Sequence, residues 1–184
     1  MANFIFDTAK HKILDRSVSG TMNLETNSSG VVGSDCYRVI LLKTTKLTAA
    51  THGTAAEMEA LFNMSGVTEL PDSIAGYDVE GKPLVSAEWA ASATPATGGS
   101  SFTFLKAEDI TWSGLGAVTD DPIVGALLYI DTGNNQTGVP AAADFPVAYF
   151  DFDAQPDGGN LVLQWGNVAG AATSGAQGVV LKIG

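Results

Sequence analysis

The residues best suited to chemistry in this chain are three aspartates near its carboxyl-terminal end, Asp151, Asp153 and Asp157. Residues two apart on a strand point to the same face, so Asp151 and Asp153 are predicted to project together. Asp157 follows in a turn, and carboxylate oxygens that converge in this way are ligands for calcium. Their spacing matches no calcium-loop motif, and an Asp-Gly pair is typical of a turn. The pattern therefore favours a solvent-facing strand followed by a turn over a metal site.

A catalytic base or a zinc ligand would come from two histidines and one cysteine, His11, His52 and Cys36. Neither histidine lies near the Gly-x-Ser-x-Gly turn typical of serine hydrolases. The three residues are also too scattered to supply the clustered ligands of a zinc site. We expect both histidines at the surface, and Cys36 to be a buried small apolar residue. The chain also lacks phosphate-binding and dinucleotide-binding glycine motifs, so we expect no cofactor.

Three tryptophans offer a different kind of site, because exposed aromatic rings can stack against sugars. These residues, Trp89, Trp112 and Trp165, each lie in an alternating apolar pattern, which favours packing in the core. A carbohydrate-binding β-module nevertheless stays open as an alternative function.

The composition is that of one folded domain. The chain has 184 residues, of which 45% are hydrophobic and 16% charged, and this is too apolar for a disordered tail. No apolar run approaches the roughly 20 residues that span a bilayer, and the amino terminus lacks the basic and apolar regions of a signal peptide. We expect a soluble, cytoplasmic protein with no membrane partner.

The net charge of −11 is distributed unevenly. Residues 1–46 hold six basic and four acidic side chains, a sum of +2, whereas the rest of the chain holds three basic and sixteen acidic ones, a sum of −13. Nucleic acid is not expected as a partner, because phosphate binding needs clustered Lys and Arg. Two explanations of the asymmetry stay open: a solvated acidic face that aids solubility, and an amino-terminal end that meets an acidic or mixed neighbour.

Glycine and proline divide the chain into short apolar runs, several of them alternating, which is typical of strands and turns. We predict a mainly β fold over residues 1–184, a single-domain β-sandwich or irregular barrel with one short helix at about 54–63. Residues 8–14 are candidates for a helical turn. Strands are predicted at 18–24, 37–43, 84–90, 101–106, 109–112, 123–130, 146–153, 161–165 and 178–183, and loops at 91–101, 131–144 and 166–178.

A series of short segments is informative through its order along the chain: 11–15, 20–24, 37–42, 57–62, 76–77, 82–84, 107–112, 125–131, 145–151 and 156–165. The most specific is the Pro-Asp-Gly-Gly turn, Pro156 to Gly159, which leads into the strand ending Gln164-Trp165. In this order, and over most of the chain, the segments resemble a family of small virion structural proteins of tailed bacteriophages. A longer loop at 131–144 and extra residues at 166–184 depart from the family pattern.

The resemblance implies a non-enzymatic protein present in many copies per particle and located in the virion, which assembles in the host cytoplasm. It implies a capsid decoration or cement protein that binds the major capsid protein and stabilises the head, as a symmetric homo-oligomer, most simply a trimer on the particle. A neck or tail component is the alternative within the same class.

The amino-terminal residues combine an apolar start with positive charge, and two alternatives remain open for them. Residues 1–16 form an arm that is laid on a neighbouring subunit, or the apolar residues simply form the first core strand. The candidate partner contacts are Phe4, Ile5, Phe6, Lys10, Lys12 and Arg16.

Overall fold

A computed structural model of the chain describes residues 3–14, 36–79, 81–84, 88–91, 103–116, 122–131, 144–166 and 177–183. Within these ranges the protein is mainly β, as predicted, with antiparallel strands throughout. The strands are β1 (Phe4–Ile5), β2 (Cys36–Thr44), β3 (Val67–Glu69), β4 (Lys82–Pro83), β5 (Glu88–Ala91), β6 (Thr103–Glu108), β7 (Ile110–Trp112), β8 (Ile123–Asp131), β9 (Phe145–Ala154), β10 (Leu161–Leu163) and β11 (Gln177–Ile183). The helices are α1 (Asp7–Leu14), α2 (Ala49–His52) and α3 (Met58–Phe62).

The central element is a six-stranded sheet in the order β1-β9-β8-β2-β3, with β4 also pairing with β2. Strand β8 lies in the middle, and every residue from Ile123 to Ile130 is buried. An apolar run without alternation is what a strand covered on both faces requires, so the prediction for this segment is confirmed. Strands β2, β8 and β9 are long and pair along most of their length, which makes them the framework of the fold.

A close approach between β8 and β9 requires glycine at one position. The ring of Tyr149 lies over Gly125, where a Cβ atom would come within 2.5 Å of the ring. The Tyr149 hydroxyl then donates to the carbonyl oxygen of Val124 at 2.7 Å. The aromatic side chain thus occupies the space that any larger residue at position 125 would need.

The remaining described strands form two smaller sheets, β11-β6-β5 and β10-β7. No sheet among the described strands closes into a barrel, since the largest one runs from an edge at β1 to an edge at β3. The buried apolar residues of all three sheets belong to one hydrophobic cluster. One contact between the sheets joins Phe150 in β9 to Trp165, which lies just after β10. The centroids of the two rings are 5.4 Å apart.

The helices correct the expectation of one short helix, because the described residues contain three. The helix predicted at 54–63 begins at Met58, since Glu57 has an extended backbone with φ −141° and serves as the N-cap. Helix α2 was not predicted; its N-cap Thr48 accepts a hydrogen bond from the Thr51 N–H through its side chain. The helical turn expected at 8–14 is confirmed as α1.

Most predicted strands are found within a few residues of their expected bounds. The strand predicted at 84–90 is split, with β4 ending at Pro83 and β5 beginning at Glu88. The strand predicted at 18–24 lies outside the described residues, as do nearly all residues of the loops predicted at 91–101, 131–144 and 166–178.

Candidate functional site

Residues 3–14, called the N-terminal segment below, lie along one edge of the six-stranded sheet. Strand β1 pairs with β9 so that Phe4 lies opposite Tyr149. The pairing continues one residue beyond β1, where the Phe6 N–H donates to the carbonyl oxygen of Val147 at 3.0 Å. The segment is therefore an added edge strand of the central sheet, followed at once by α1.

The three apolar residues of this segment differ in their exposure. The Phe6 side chain is completely buried in the core of its own chain, whereas Phe4 and Ile5 are half-buried. The Phe4 ring lies 5.0 Å from the Phe6 ring and 5.7 Å from the Tyr149 ring, measured between centroids. This arrangement matches the alternative of a first core strand, at least for Phe6. A partner contact through Phe4 and Ile5 stays a prediction.

Two further hydrogen bonds fasten the N-terminal segment to the body of the chain. The Asp7 N–H donates to the carbonyl oxygen of Gly53, which follows α2, at 2.8 Å. The Asp151 N–H in β9 donates to the side-chain oxygen of Asn3, also at 2.8 Å. The segment is thus held at both ends of β1, by β9 on one side and by the end of α2 on the other.

The basic candidates of the segment are placed only in part. The Lys10 ammonium lies 2.8 Å from the Asp7 carboxylate, and both side chains are about half exposed. Lys12 lies in α1, but its side chain is outside the described residues, as is the whole of Arg16. Among the three, Lys10 is therefore shown to be at the surface, next to an acid of its own helix.

The predicted pair of aspartates on one strand face is present, and it binds a lysine. The Lys46 ammonium lies 2.7 Å from Oδ2 of Asp153 and 2.9 Å from Oδ1 of Asp151. The hydrogen bond that Lys46 donates to Asp153, followed by its contact with Asp151, raises the pKa of Lys46 above its ordinary value. The two carboxylates that the sequence offered as calcium ligands thus share a cation supplied by the chain itself.

Asp157, the third aspartate, has a separate role in its turn. Its Oδ1 accepts a hydrogen bond from the Gly159 N–H at 2.8 Å, as is usual for Asp in a tight turn. The turn is joined to Leu115, whose carbonyl oxygen accepts from Gly158 and whose N–H donates to Gly159, each at 2.8 Å. In the part of the chain that the structure describes, no group of three or more His, Cys, Asp or Glu residues is placed to hold a metal ion.

The expectation that both histidines lie at the surface is wrong for His52. Its side chain is 6% exposed, and the backbone N–H of Thr48 donates to the ring Nδ1 at 3.1 Å. The imidazole is therefore part of the N-terminal capping of its own short helix α2. His11 lies in α1 and Cys36 begins β2, and their side chains are outside the described residues.

Two of the three tryptophans are core residues, as the alternating pattern predicted. Trp112 is completely buried and Trp165 is 9% exposed. The Trp165 ring nitrogen donates to the carbonyl oxygen of Glu108 at 2.8 Å, and its backbone N–H donates to the side chain of Asp109 at 2.9 Å. Neither ring can offer its face to a sugar in this conformation. Trp89 lies in β5, and its side chain is outside the described residues.

A buried polar cluster at the edge of β2 escaped the sequence analysis. The Tyr77 hydroxyl donates to the Glu69 carboxylate at 2.6 Å and accepts from the Leu41 N–H at 3.2 Å. Burial is the main cause that raises the pKa of Tyr77 well above its ordinary value. The three residues lie far apart in the sequence, and no local pattern signals their contact.

A second cluster lies further along β2. The Arg38 guanidinium donates to the carbonyl oxygen of Gly81 at 3.1 Å and lies 3.8 Å from the Asp131 carboxylate. Tyr129 lies opposite Arg38 in the sheet, and burial raises the pKa of its hydroxyl above the ordinary value. These groups tie β2, β8 and the residue before β4 together.

The fold and these contacts define a mainly β protein whose described polar clusters bind its own backbone and side chains. Comparison with protein-family models, with curated proteins and with solved structures finds no match. Among the described helices, none has the length and apolar character needed to cross a membrane.

Proposed function

We propose that this chain is a non-enzymatic structural protein of a tailed-phage virion, which decorates the capsid by binding the major capsid protein and so stabilises the head. The observation that carries the proposal is the position of the segments that resemble the phage family. Three of them, 37–42, 125–131 and 145–151, lie in β2, β8 and β9, which are neighbours in the central sheet. The resemblance therefore involves the residues that build the framework of the fold.

The most specific segment also has a structural position that accounts for its residue types. The Pro-Asp-Gly-Gly turn has Gly158 at φ 86°, a left-handed conformation that favours glycine. The residue that follows the turn is Asn160, and its side-chain oxygen accepts a hydrogen bond from the Gly114 N–H at 3.0 Å. This turn and the stretch around Leu115 thus brace one another, and Trp165 follows in the core. A braced turn of this kind suits a protein whose task is to stay folded on a particle.

The polar groups considered for chemistry also support a structural role. Lys46 joins the loop after β2 to β9, His52 caps α2, and Asp157 closes its turn. Each has a geometric partner within its own chain that explains why that residue type is present.

The surface charge suits a protein that is present at high copy number. Among the described acidic residues, those that are exposed are Asp7, Glu57, Glu59, Asp72, Asp78, Asp109, Asp153 and Asp157. A strong net negative charge keeps a concentrated protein soluble before it reaches its partner. A specific contact with the capsid would bury at least about 1,000 Å².

The copy number in purified virions tests the proposal. We expect on the order of hundreds of copies per particle by quantitative mass spectrometry, because a decoration protein follows the symmetry of the capsid lattice. About six or twelve copies would instead indicate the neck or tail alternative. Absence from purified virions would contradict both. The major capsid protein of the same particles serves as the internal standard for the count.

A binding experiment then tests the partner. Purified chain is added to capsids that lack it, and bound protein is separated from free protein by sedimentation. We expect saturable binding with a fixed ratio to the major capsid protein and a higher melting temperature of the capsids. Capsids of an unrelated phage are the control. Equal binding to both would contradict specific recognition of the lattice.

A further inference from the structure

We propose that the N-terminal segment is exchanged between copies of this chain, so that residues 3–14 of one copy occupy the β9 edge of a neighbouring copy. This inference goes beyond the proposed function, because it names a second copy of the chain as the partner of this site. It applies to the purified protein and does not depend on a capsid.

The first argument is the way in which the N-terminal segment is attached. Its hydrogen bonds to the body run from Phe6 to Val147, from Asp7 to Gly53, and from Asp151 to Asn3. The acceptors and donors on the body belong to β9 and to the end of α2. A second copy presents the same groups in the same geometry, so exchange preserves every one of these bonds.

The second argument is the apolar anchor. Phe6 is completely buried, and Phe4 lies against both Phe6 and Tyr149. A short strand that carries a buried aromatic side chain is able to dock as a unit, because its affinity comes from one deep contact and a few backbone bonds. Strand β1 is also the outermost strand of its sheet, so it is removed without breaking any other strand pair.

The third argument is charge. Two copies of a chain with net charge −11 repel each other, and this repulsion disfavours most ways of bringing them together. Residues 3–14 are the exception, because Lys10 and Lys12 against Asp7 give this segment a sum of +1, while the rest of the chain sums to −12. A contact that places this segment of one copy against the acidic body of another is therefore the one with complementary charge.

The length of chain between the segment and the sheet permits the exchange. Residues 15–35 separate α1 from β2 in the sequence. A polypeptide spans at most about 3.5 Å per residue, so a connection of this length is able to bridge neighbouring subunits. Exchange also reconciles the two alternatives for Phe4, Ile5 and Phe6: the same contacts form a core strand, yet the strand comes from another copy. Passed from copy to copy in one direction, such a contact gives a ring when the rotation between successive copies closes.

Two single-cysteine variants test the exchange in a Cys36→Ser background. Ile5 lies opposite Ala148, and the bond from Phe6 to Val147 makes the Ile5–Ala148 pair a non-hydrogen-bonded one. Cα atoms in such a pair lie about 4.5 Å apart, within the range that a disulfide spans. One chain carries Ile5→Cys and the other Ala148→Cys. A mixed disulfide in this position requires the segment of one copy to lie on β9 of the other.

The two variants are mixed, unfolded in urea, refolded together at about 1 mM and then oxidised. At this concentration, binding of the segment to another copy competes with its binding within the same chain. We expect a 5–148 mixed dimer, identified by mass, at a yield at least about tenfold above the control pair Ile5→Cys with Asp72→Cys. Asp72 is exposed in the loop after β3.

The double variant Ile5→Cys/Ala148→Cys shows whether the register permits the bond at all. An intrachain disulfide in the dilute double variant, together with mixed dimers only at the level of the control pair, overturns the exchange. Failure of the double variant to form a disulfide in any chain also overturns it, because the register on which the argument rests would then be wrong. Neither result bears on whether the chain is found in virions.

Discussion

The hydroxyl of Tyr77 accepts a hydrogen bond from the backbone N–H of Leu41 at 3.2 Å, at a place where the edge of β2 that faces away from β8 has no neighbouring strand. Strands β3 and β4 both pair with the same edge of β2, but β3 pairs from Leu42 onward and β4 only up to Val39. The gap leaves backbone groups that must find other partners. The Tyr77 hydroxyl is the partner of the Leu41 N–H, and the Leu70 N–H is the partner of the Leu41 carbonyl oxygen, to which it donates at 2.9 Å.

Tyr77→Phe is therefore expected to destabilise the protein by about 1–3 kcal/mol, because a buried N–H at Leu41 loses its acceptor and Glu69 loses the hydrogen bond from Tyr77. Urea unfolding at neutral pH measures the loss, and amide hydrogen exchange at Leu41 locates it. Asp78→Asn, an exposed change at the next residue, is the control and should shift the stability by no more than about 0.5 kcal/mol. Equal stability of the two variants would show that the hydroxyl is not needed.

A matched pair of glycine substitutions tests the contact between β8 and β9. Gly125→Ala places a Cβ within 2.6 Å of the Phe150 carbonyl oxygen and 2.5 Å of the Tyr149 ring, whereas Gly166→Ala meets nothing within 4 Å. We expect Gly125→Ala to cost about 1–3 kcal/mol through overpacking. Gly166→Ala should stay within about 0.5 kcal/mol of the parent. Comparable melting temperatures for the two variants would contradict the position assigned to the Tyr149 ring.

Lys46, which contacts both Asp151 and Asp153, should contribute more to the stability of the protein than an ordinary surface ion pair does. Lys46→Gln removes both carboxylate contacts, and the Asp151 side chain is only 11% exposed. Lys10→Gln is the control, because its partner Asp7 is 56% exposed. We expect Lys46→Gln to lower the urea midpoint more than Lys10→Gln does. The stability of Lys46→Gln should also depend less on added salt than that of the parent protein. If the two variants lose stability equally, the contact of Lys46 with two aspartates contributes no more than the exposed pair of Lys10 and Asp7.

Stability should fall at alkaline pH in part through Tyr149. Burial raises the pKa of Tyr149 to about 12, above the ordinary value of about 10 in an unfolded chain. The unfolded state loses this proton first, so its contribution to stability is complete below pH ~10 and is lost as the pH rises from about 10 to about 12.

Tyr149→Phe should reduce the slope of stability against pH in this window, while costing about 1 kcal/mol at neutral pH through the lost bond to Val124. Urea midpoints across pH 7 to about 11.5 measure both effects, and tyrosinate absorbance follows the ionisation. Tyr77 and Tyr129 keep part of the alkaline sensitivity in the variant. If the slope of stability against pH is the same in Tyr149→Phe and in the parent, the Tyr149 hydroxyl is exposed to water and not buried.

Local pattern was sufficient for the strands of the framework. Alternation and apolar runs bounded by Pro122 and Asp131 predicted β8, and the same signals predicted β2 and β9. Helix α2 was missed because its four residues make barely one turn, so no apolar position can recur at helical spacing. His52 was placed at the surface for the same reason: its burial follows from the cap with Thr48, which only exists once α2 has formed.

The site was predictable only where its residues are close in sequence. The shared face of Asp151 and Asp153 follows from strand geometry, but the partner of both, Lys46, follows from how β9 lies beside the loop after β2. The same applies to Tyr77, whose contact with Leu41 depends on an irregular stretch between two short strands. Long-range pairs of this kind are a property of the assembled sheet, so no single segment encodes them.

The pairing of Phe4 with Tyr149 has a consequence for synthesis on the ribosome. Strand β1 is translated well before β9, to which it must bind, because Phe4 precedes its partner Tyr149 by 145 residues. At about 5–20 residues per second, Phe4 waits on the order of ten seconds for that partner. On a polysome, where nascent copies follow one another closely, a completed β9 from the chain ahead is present during that interval. Because β1 is translated before β9, two copies of the β9 edge compete for it: the one ahead on the messenger and the one still to be made.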